Sequence, residues 1–580
     1  MTLSATDLRR PRIWVDSEIG KSWRAGAAAG WETRLGRTPL AFTAGLEYFR
    51  QDGPRLRFTE LALEQDLIRF TPYRSRRDLS PDGRWGGLAK LSPTAEVPTV
   101  FANLVLGDLH VDVHAWTSKR SAPSEEVASL ERAYFDDPTQ YEVDRHAWFD
   151  ARYRIPISRK LDFIPRLYGD TFNYERYSNT SWGNSCVSGA VEACRAHLVG
   201  ASQWAGAEAQ LRYDWIGNGR LVTLLGADGR LRHVSQKSDL SNYDTGEALV
   251  SSVGVLDASD RIIGAYVQQV WQPTRPLIFN VGSRVDYDPR FDVVGSPRLA
   301  GTYQPWRGST LKVVFAEAFR APTWGETSFS AYGSQLPAQD LVPERVRSVE
   351  SSFEQRIGTH RLMFGAYRSW WKELIELRLL TRSELEIAQQ EGRAPLIATS
   401  VNQYQNITRI EHYGFNAGYD GDALGHRLRF ALNVTAAAAR RAYDSLDASA
   451  PILVSPHYFG NARVSYEPPG NWPGVALAGQ LLGSRAADGL ARGFASPPYL
   501  PASVQLRATL FGRAPWVQGL SYRLGATWAS IDRAPFTIGP NSSGNVGFAS
   551  QGAATVPDNA IYSPVDTFRV AAGLQYELGR

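Results

Sequence analysis

The chain has 580 residues, of which 43% are hydrophobic and 21% charged, with 17 Trp, 25 Tyr, 24 Phe, 2 Cys and a formal net charge of +4. So small a charge on so long a chain, with no concentrated basic stripe, argues against a nucleic-acid binder. No run of about 18 apolar residues is present, which excludes a transmembrane helix, and Met1 to Arg10 lacks a basic segment followed by an apolar core, so no signal peptide is read.

From residue 12 onward the chain repeats one pattern. Residues 1–11 are a short lead-in, and 12–580 read as one domain, because no Pro/Gly/Ser linker, charge block or change of composition marks a seam. Strand candidates come in pairs: Trp23 to Thr33 with Leu40 to Phe49, then Phe101 to Leu106 with Leu109 to Trp116 across the tight Gly107-Asp108 turn. Trp148 to Pro156 precedes Asp162 to Phe172, and Ala207 to Trp215 meets Leu221 to Val234 after Gly217-Asn218-Gly219. Further on come Pro297 to Pro305 with Leu311 to Phe319, Val346 to Gln355 with Arg361 to Trp370, and Tyr413 to Tyr419 with His426 to Ala436. Val504 to Phe511 with Leu520 to Trp528 follow, and Phe568 to Leu578 closes the chain.

Within these stretches every second side chain is apolar. Leu109, Val111, Val113 and Ala115 alternate with His110, Asp112 and His114; Leu428, Phe430, Leu432 and Val434 face one way while Arg427, Arg429, Asn433 and Thr435 face the other. A strand sends successive side chains to opposite faces, so each has one apolar and one wet wall. A wet wall rich in arginine and aspartate, as in Glu208, Arg212 and Asp214, suits the hydrated bore of a closed cylinder with lipid outside. Short turns alternate with long loops near 50–97, 118–145, 173–203, 325–345, 380–400 and 530–562, and roughly 26 residues per strand and its share of loop gives about 22 strands. The fold class is therefore all-β, a large antiparallel transmembrane β-barrel with short periplasmic turns and long extracellular loops. Its aromatic load suits girdles at the two membrane interfaces; a secreted soluble β-protein with an aromatic core is the alternative.

Cys186 and Cys194 share one polar loop and have no other cysteine to compete, which favours a local disulfide in an oxidising compartment, two free thiols being the alternative. No Gly-rich phosphate loop, metalloprotease motif, nucleophile elbow or paired-cysteine metal motif occurs in a usable context, so no enzyme activity and no cofactor are expected.

The segment Pro297 to Pro305, then Leu311 to Phe319 running into Arg320-Ala321-Pro322-Thr323-Trp324-Gly325-Glu326, resembles TonB-dependent outer-membrane receptors, in which a strand ending Phe-Arg-Ala-Pro enters an extracellular loop. The likeness is sharpest at Phe319, Arg320, Ala321 and Pro322. It continues in Leu341-Val342-Pro343-Glu344-Arg345, with Glu350 opening the next strand, and in Asn406, Glu411 to Gly414, Pro456 and Asn461. Proline ends the strand because it cannot donate the next ladder bond. Arg320 is expected to pair with a neighbouring-strand carboxylate such as Glu350, the other reading being contact with ligand or plug. The C-terminal Gly573 to Leu578 resembles the assembly signal of bacterial outer-membrane proteins, although Leu578-Gly579-Arg580 stands in place of a terminal aromatic.

The resemblance implies active import of a scarce small molecule across the outer membrane of a Gram-negative-type bacterium, ferric siderophore first, with cobalamin, haem or another metal chelate behind it. It implies a monomer in outer-membrane lipid, driven by TonB with ExbB/ExbD through a plug. No plug or TonB box precedes the first strand, which is read as truncation. A separately encoded plug and a plugless barrel are the alternatives, and a plugless barrel would be a passive porin-like channel. Trp182, Trp324 and Tyr332 are candidate ligand-facing loop residues, able to stack on an anionic chelate.

Overall fold

The computed structural model describes residues 12–18, 21–52, 57–62, 84–88, 94–121, 139–180, 194–242, 245–330, 335–338, 340–396, 398, 400–443, 446–451, 456–486, 499–500, 502–530, 533–536, 561–564 and 567–578. A closed wall of 22 antiparallel strands contains most of them. In chain order these are β1 (Arg12–Glu18), β2 (Ser22–Leu35), β3 (Thr38–Asp52), β4 (Thr94–Leu106), β5 (Leu109–Ser121), β6 (Tyr141–Tyr153), β7 (Leu161–Thr180) and β8 (Cys194–Asp214). Next come β9 (Leu221–Asn242), β10 (Ala248–Thr274), β11 (Leu277–Asp288), β12 (Asp292–Tyr303), β13 (Ser309–Arg320), β14 (Glu344–Ile357) and β15 (His360–Leu379). The last are β16 (Asn402–Ala423), β17 (Leu428–Tyr443), β18 (Tyr458–Tyr466), β19 (Gly474–Leu482), β20 (Ser503–Arg513), β21 (Leu520–Ala529) and β22 (Phe568–Glu577).

Each strand pairs with its sequence neighbours, and β1 also pairs with β22, Val15 lying opposite Leu574 and Glu18 opposite Ala571. That closure is what lets a sheet stand in hydrocarbon, because it leaves no wall strand with a row of unpaired amides. Alternation then sorts the side chains. Leu167, Leu231, Ile263 and Phe415 point outward and are 59%, 63%, 57% and 66% exposed, an apolar surface that water would not tolerate over a whole cylinder. Asp150, Arg166, Glu208 and Asp228 point into the bore.

The strands reach well past the expected segments. β10 has 27 residues, which at about 3.3 Å each and a tilt near 40° is roughly 65–70 Å tall against an apolar band of about 25 Å. The supposed loop 173–203 is correspondingly strand up to Thr180 and again from Cys194. Above the bilayer both faces of a strand meet water, so apolar alternation stops while the hydrogen-bond ladder continues. Two of the other long connections hold helices, α1 (Trp324–Ser328) and α2 (Arg382–Gln390). The strand after α1 opens at Glu344, and Glu350 lies in its middle, opposite Val314.

Candidate functional site

At the loop end, two connections fold inward over the bore and pack on each other. The first begins where β13 gives out. Pro322 is buried and has no N–H to continue the ladder, and Thr323 then caps α1 with a capping box: its hydroxyl accepts the Glu326 N–H at 3.1 Å and Glu326 Oε2 accepts the Thr323 N–H at 2.7 Å. Glu326 thereby faces Arg320, whose guanidinium donates to it at 2.9 and 3.0 Å and to Glu344 at 2.7 Å on two prongs. The cross-strand partner of Arg320 is therefore Glu344, directly opposite it in the ladder; Glu350 is three inward-facing positions farther along the strand and out of reach.

The Trp324 indole N–H donates to Asp260 at 2.5 Å, and its ring lies 5.7 Å from the Arg290 guanidinium. Asp260 also accepts from Arg232 Nε at 3.1 Å, while Arg290 Nε donates to Asp288 at 2.8 Å and its Nη1 to the Pro322 carbonyl. Four elements, β9, β10, β11 and the loop before α1, are thus tied by charge-assisted hydrogen bonds around one tryptophan.

The return path is fastened at Asn406. Its side-chain carbonyl accepts the Val342 N–H at 3.0 Å and its amide donates to the carbonyls of Val342 at 3.0 Å and Glu373 at 2.6 Å. Glu373 sits at φ 57° in a bulge of β15, where pairing with β16 shifts register. Glu344 Oε1 accepts the Ile375 N–H from the same bulge at 2.9 Å. Ala338, Leu341 and Ile375 form a small core there, and Leu336, Leu385, Ala388, Ala394 and Val401 form another that joins the first loop to α2. Thr381 and Glu384 repeat the capping box on α2, and Arg378 donates to Glu384 at 2.6 Å. Burial works to raise the Glu384 carboxyl, but the Thr381 hydroxyl and N–H and the Arg378 charge hold it below its ordinary range.

Deeper in the bore the polar wall runs laterally, across strands. Arg166 Nε donates to Asp150 at 2.5 Å and Nη1 to Glu208 at 3.1 Å; Glu208 also accepts from the Tyr266 hydroxyl at 2.5 Å. Arg284 bridges Asp228 at 2.7 Å and Asp286 at 2.6 Å, and Arg212 reaches Asp162 at 3.4 Å. The Arg166 and Arg284 side chains remain 42% and 33% exposed, so their free edges face the bore. Such a wall can pass an anionic, hydrogen-bonding solute from one guanidinium to the next without a deep trap.

Phe319, at the sharpest point of the sequence motif, points outward, its ring 5.7 Å from that of Phe291. Pro343 is buried beside Glu344. Trp182, Cys186 and Tyr332 lie outside the described residues; Cys194 begins β8, its backbone opposite Thr180 and Asn242. Arg290, Asp260 and Leu336 were not legible as parts of the mouth, since their partners come from distant strands. The two capping boxes, Thr323 to Glu326 and Thr381 to Glu384, were available as a signal for the helices.

Residues 117–579 match the family described as TonB dependent receptor-like, beta-barrel. The chain belongs to that family. No curated protein matches it in sequence. Among solved structures, the receptor barrel is similar to a ferric enterobactin receptor (PfeA) from Pseudomonas aeruginosa, at 12% identity and TM-score 0.66 over 98% of this chain and 80% of that one. It is similar to the copper transporter OprC, at 12% and 0.67 over 98% and 80%, and to the FrpB iron transporter from Neisseria meningitidis, at 11% and 0.65 over 100% and 83%. At such identities the likeness establishes the TonB-dependent receptor fold rather than a ligand.

Proposed function

We propose that this TonB-dependent receptor barrel imports a scarce metal chelate, a ferric siderophore before cobalamin, haem or another metal complex, across the outer membrane of a Gram-negative-type bacterium. The observation that carries the reading is the conduit: a closed 22-strand wall, apolar outside, lined inside by half-exposed guanidinium groups such as Arg166 and Arg284, and roofed at its loop end by a packed platform. The solved neighbours described as enterobactin, iron and copper transporters support the ligand class.

In this reading the solute lands on the platform and then exchanges hydrogen bonds along the bore. A balanced wall of arginines paired with carboxylates suits that task, because each guanidinium can lend an unused donor edge while its carboxylate keeps it oriented. Work is supplied by TonB with ExbB/ExbD acting through a plug domain. The barrel serves as a monomer and performs no covalent chemistry.

The deciding experiment restores the reading frame upstream of the chain, exports the product to the outer membrane of a strain stripped of its own ferric-siderophore receptors, and measures labelled ferric-siderophore uptake with and without TonB. Uptake is expected only with TonB. Uptake indifferent to TonB, accompanied by ohmic conductance in planar bilayers, would make the barrel a passive diffusion channel and overturn the proposal.

A further inference from the structure

On the outer wall, away from the bore, five neighbouring strands place a charged row on top of an apolar one. Glu317, Arg347, Trp370, Glu411 and Arg440 lie directly opposite one another from β13 to β17, all on the outward face. One position nearer the turn end the row reads Phe315, Val349, Arg368, Tyr413 and Ala438, and the next reads Val313, Ser351, Ala366, Phe415 and Ala436. Successive rows are about 7 Å apart and adjacent strands about 4.8 Å, so the change from charge to hydrocarbon, with Arg368 the last charge, is complete within two rows. Trp370 and Tyr413 stand at that level, the position amphipathic rings take at a membrane interface.

The charge at this level is not balanced. Arg345 and Lys372, opposite each other one row above, join Arg347, Arg368 and Arg440, while the facing carboxylates are Glu317 and Glu411. Arg347 donates to Glu317 at 2.9 and 3.1 Å and Arg368 Nε to Glu411 at 2.7 Å. Arg345, Arg347 and Arg368 nevertheless keep 50%, 57% and 57% of their side chains exposed. Below them runs a furrow of about 610 Å³ with Ser351 and Ala366 on its floor, Val349, Tyr413 and Phe415 on its sides, and Arg368 and Arg440 at its head. Phe415 is 66% exposed, and Phe364, one row farther down, 53%. Solvated charges alone would need no such furrow beneath them.

We infer that this face of β13 to β17 binds a lipid of the surrounding leaflet that carries an anionic, phosphate-bearing headgroup. The phosphates meet Arg368, Arg440, Arg345 and Lys372, and an acyl chain lies in the furrow over Ser351 and Ala366. Guanidinium and ammonium groups are the natural partners of phosphate oxygens, and at the edge of the hydrocarbon their hydrogen bonds are screened less than in water. The inference rests on the barrel's membrane setting alone and is independent of what the bore carries, so it can fail or hold apart from the transport reading.

The test is native mass spectrometry of the full chain in mixed micelles holding equal amounts of bisphosphorylated hexa-acyl lipid A, its dephosphorylated form and phosphatidylcholine. The expected result is a retained adduct of the bisphosphorylated lipid, favoured about tenfold over the dephosphorylated one, as loss of one or two charge-assisted hydrogen bonds would give. Arg368→Gln with Arg440→Gln should erase that preference while the barrel keeps its folded migration on an unheated gel. Equal retention of all three lipids by the unmodified chain, which needs no variant to be read, would reduce the face to ordinary apolar wall and overturn the inference. So would displacement of the adduct by inorganic phosphate alone, which would mark a site for the free ion.

Discussion

Glu344 accepts the backbone N–H of Ile375 at 2.9 Å, so the first side chain of β14 satisfies the bulge of β15 that faces it. The same carboxylate holds both prongs of Arg320 at 2.7 Å. Glu344→Ala should leave a buried amide without its partner and Arg320 held by Glu326 alone, a loss of about 1–3 kcal/mol. The check is amide hydrogen exchange: protection at Ile375 should fall, with exchange in β5 and β6, across the barrel, unchanged. Unchanged protection at Ile375 would show that the bulge is held by the ladder alone.

Asn406 makes three hydrogen bonds that a carboxylate cannot reproduce, because two of them are donated to the carbonyls of Val342 and Glu373. Asn406→Asp is therefore expected to be nearly as damaging as Asn406→Ala, each freeing the 337–343 segment by about 1–2 kcal/mol. Limited proteolysis reads the effect as faster cleavage after Leu341. If the aspartate variant resisted cleavage like the parent, the acceptor bond to Val342 N–H would be the one that matters.

The architecture was readable because half of each membrane-crossing strand must be apolar, and Leu311, Val313 and Phe315 or Val570, Ala572 and Leu574 obey that rule. β10 escaped notice where Ile262 and Ile263 stand side by side: Ile263 meets lipid, while Ile262 is buried against the inner surface, 5% exposed. β19 escaped for the opposite reason, since its inward Ala476 and Ala478 are too small and apolar to mark a wet face. At the mouth, Arg320, Pro322, Glu344 and Asn406 were visible as a motif. Their roles were not, since Arg320 finds Glu344 and Asn406 finds Val342 only through the register of β13 with β14 and the course of the loop.

The Glu384 carboxylate gives the platform an acid limit. Its folded-state value lies below the ordinary 4.5, because the Thr381 and Arg378 contacts outweigh the burial that would raise it. A depressed carboxylate stabilises fully above the unfolded value, and that contribution is lost as pH falls through the lower folded value. The 380–401 connection should hence be indifferent to pH in the neutral range and loosen below about 4.5. Protease susceptibility within 391–396 measures this, and Glu384→Gln should be loosened already at neutral pH, with little further change on acidification.

The seam that closes the barrel depends on a missing side chain. Asp16 on β1 pairs with Arg523 on β21 at 2.7 Å, and the strand between them, β22, places Gly573 under the contact. A Cβ at residue 573 would lie 1.9 Å from Asp16 Oδ1 and 2.9 Å from Arg523 Nε, so the pair spans β22 only because glycine leaves that space empty. Asp16→Asn should lower the temperature of gel-shift unfolding slightly, the half-exposed pair being worth about 0–1 kcal/mol. Gly573→Val should do more, because it removes the pair and also forces both side chains aside against β1, the strand on which closure depends. The two variants measured together settle the cause: if Gly573→Val in the Asp16→Asn background adds nothing, loss of the ion pair is the whole effect, whereas a further fall shows that the close approach of β1 to β22 itself requires glycine.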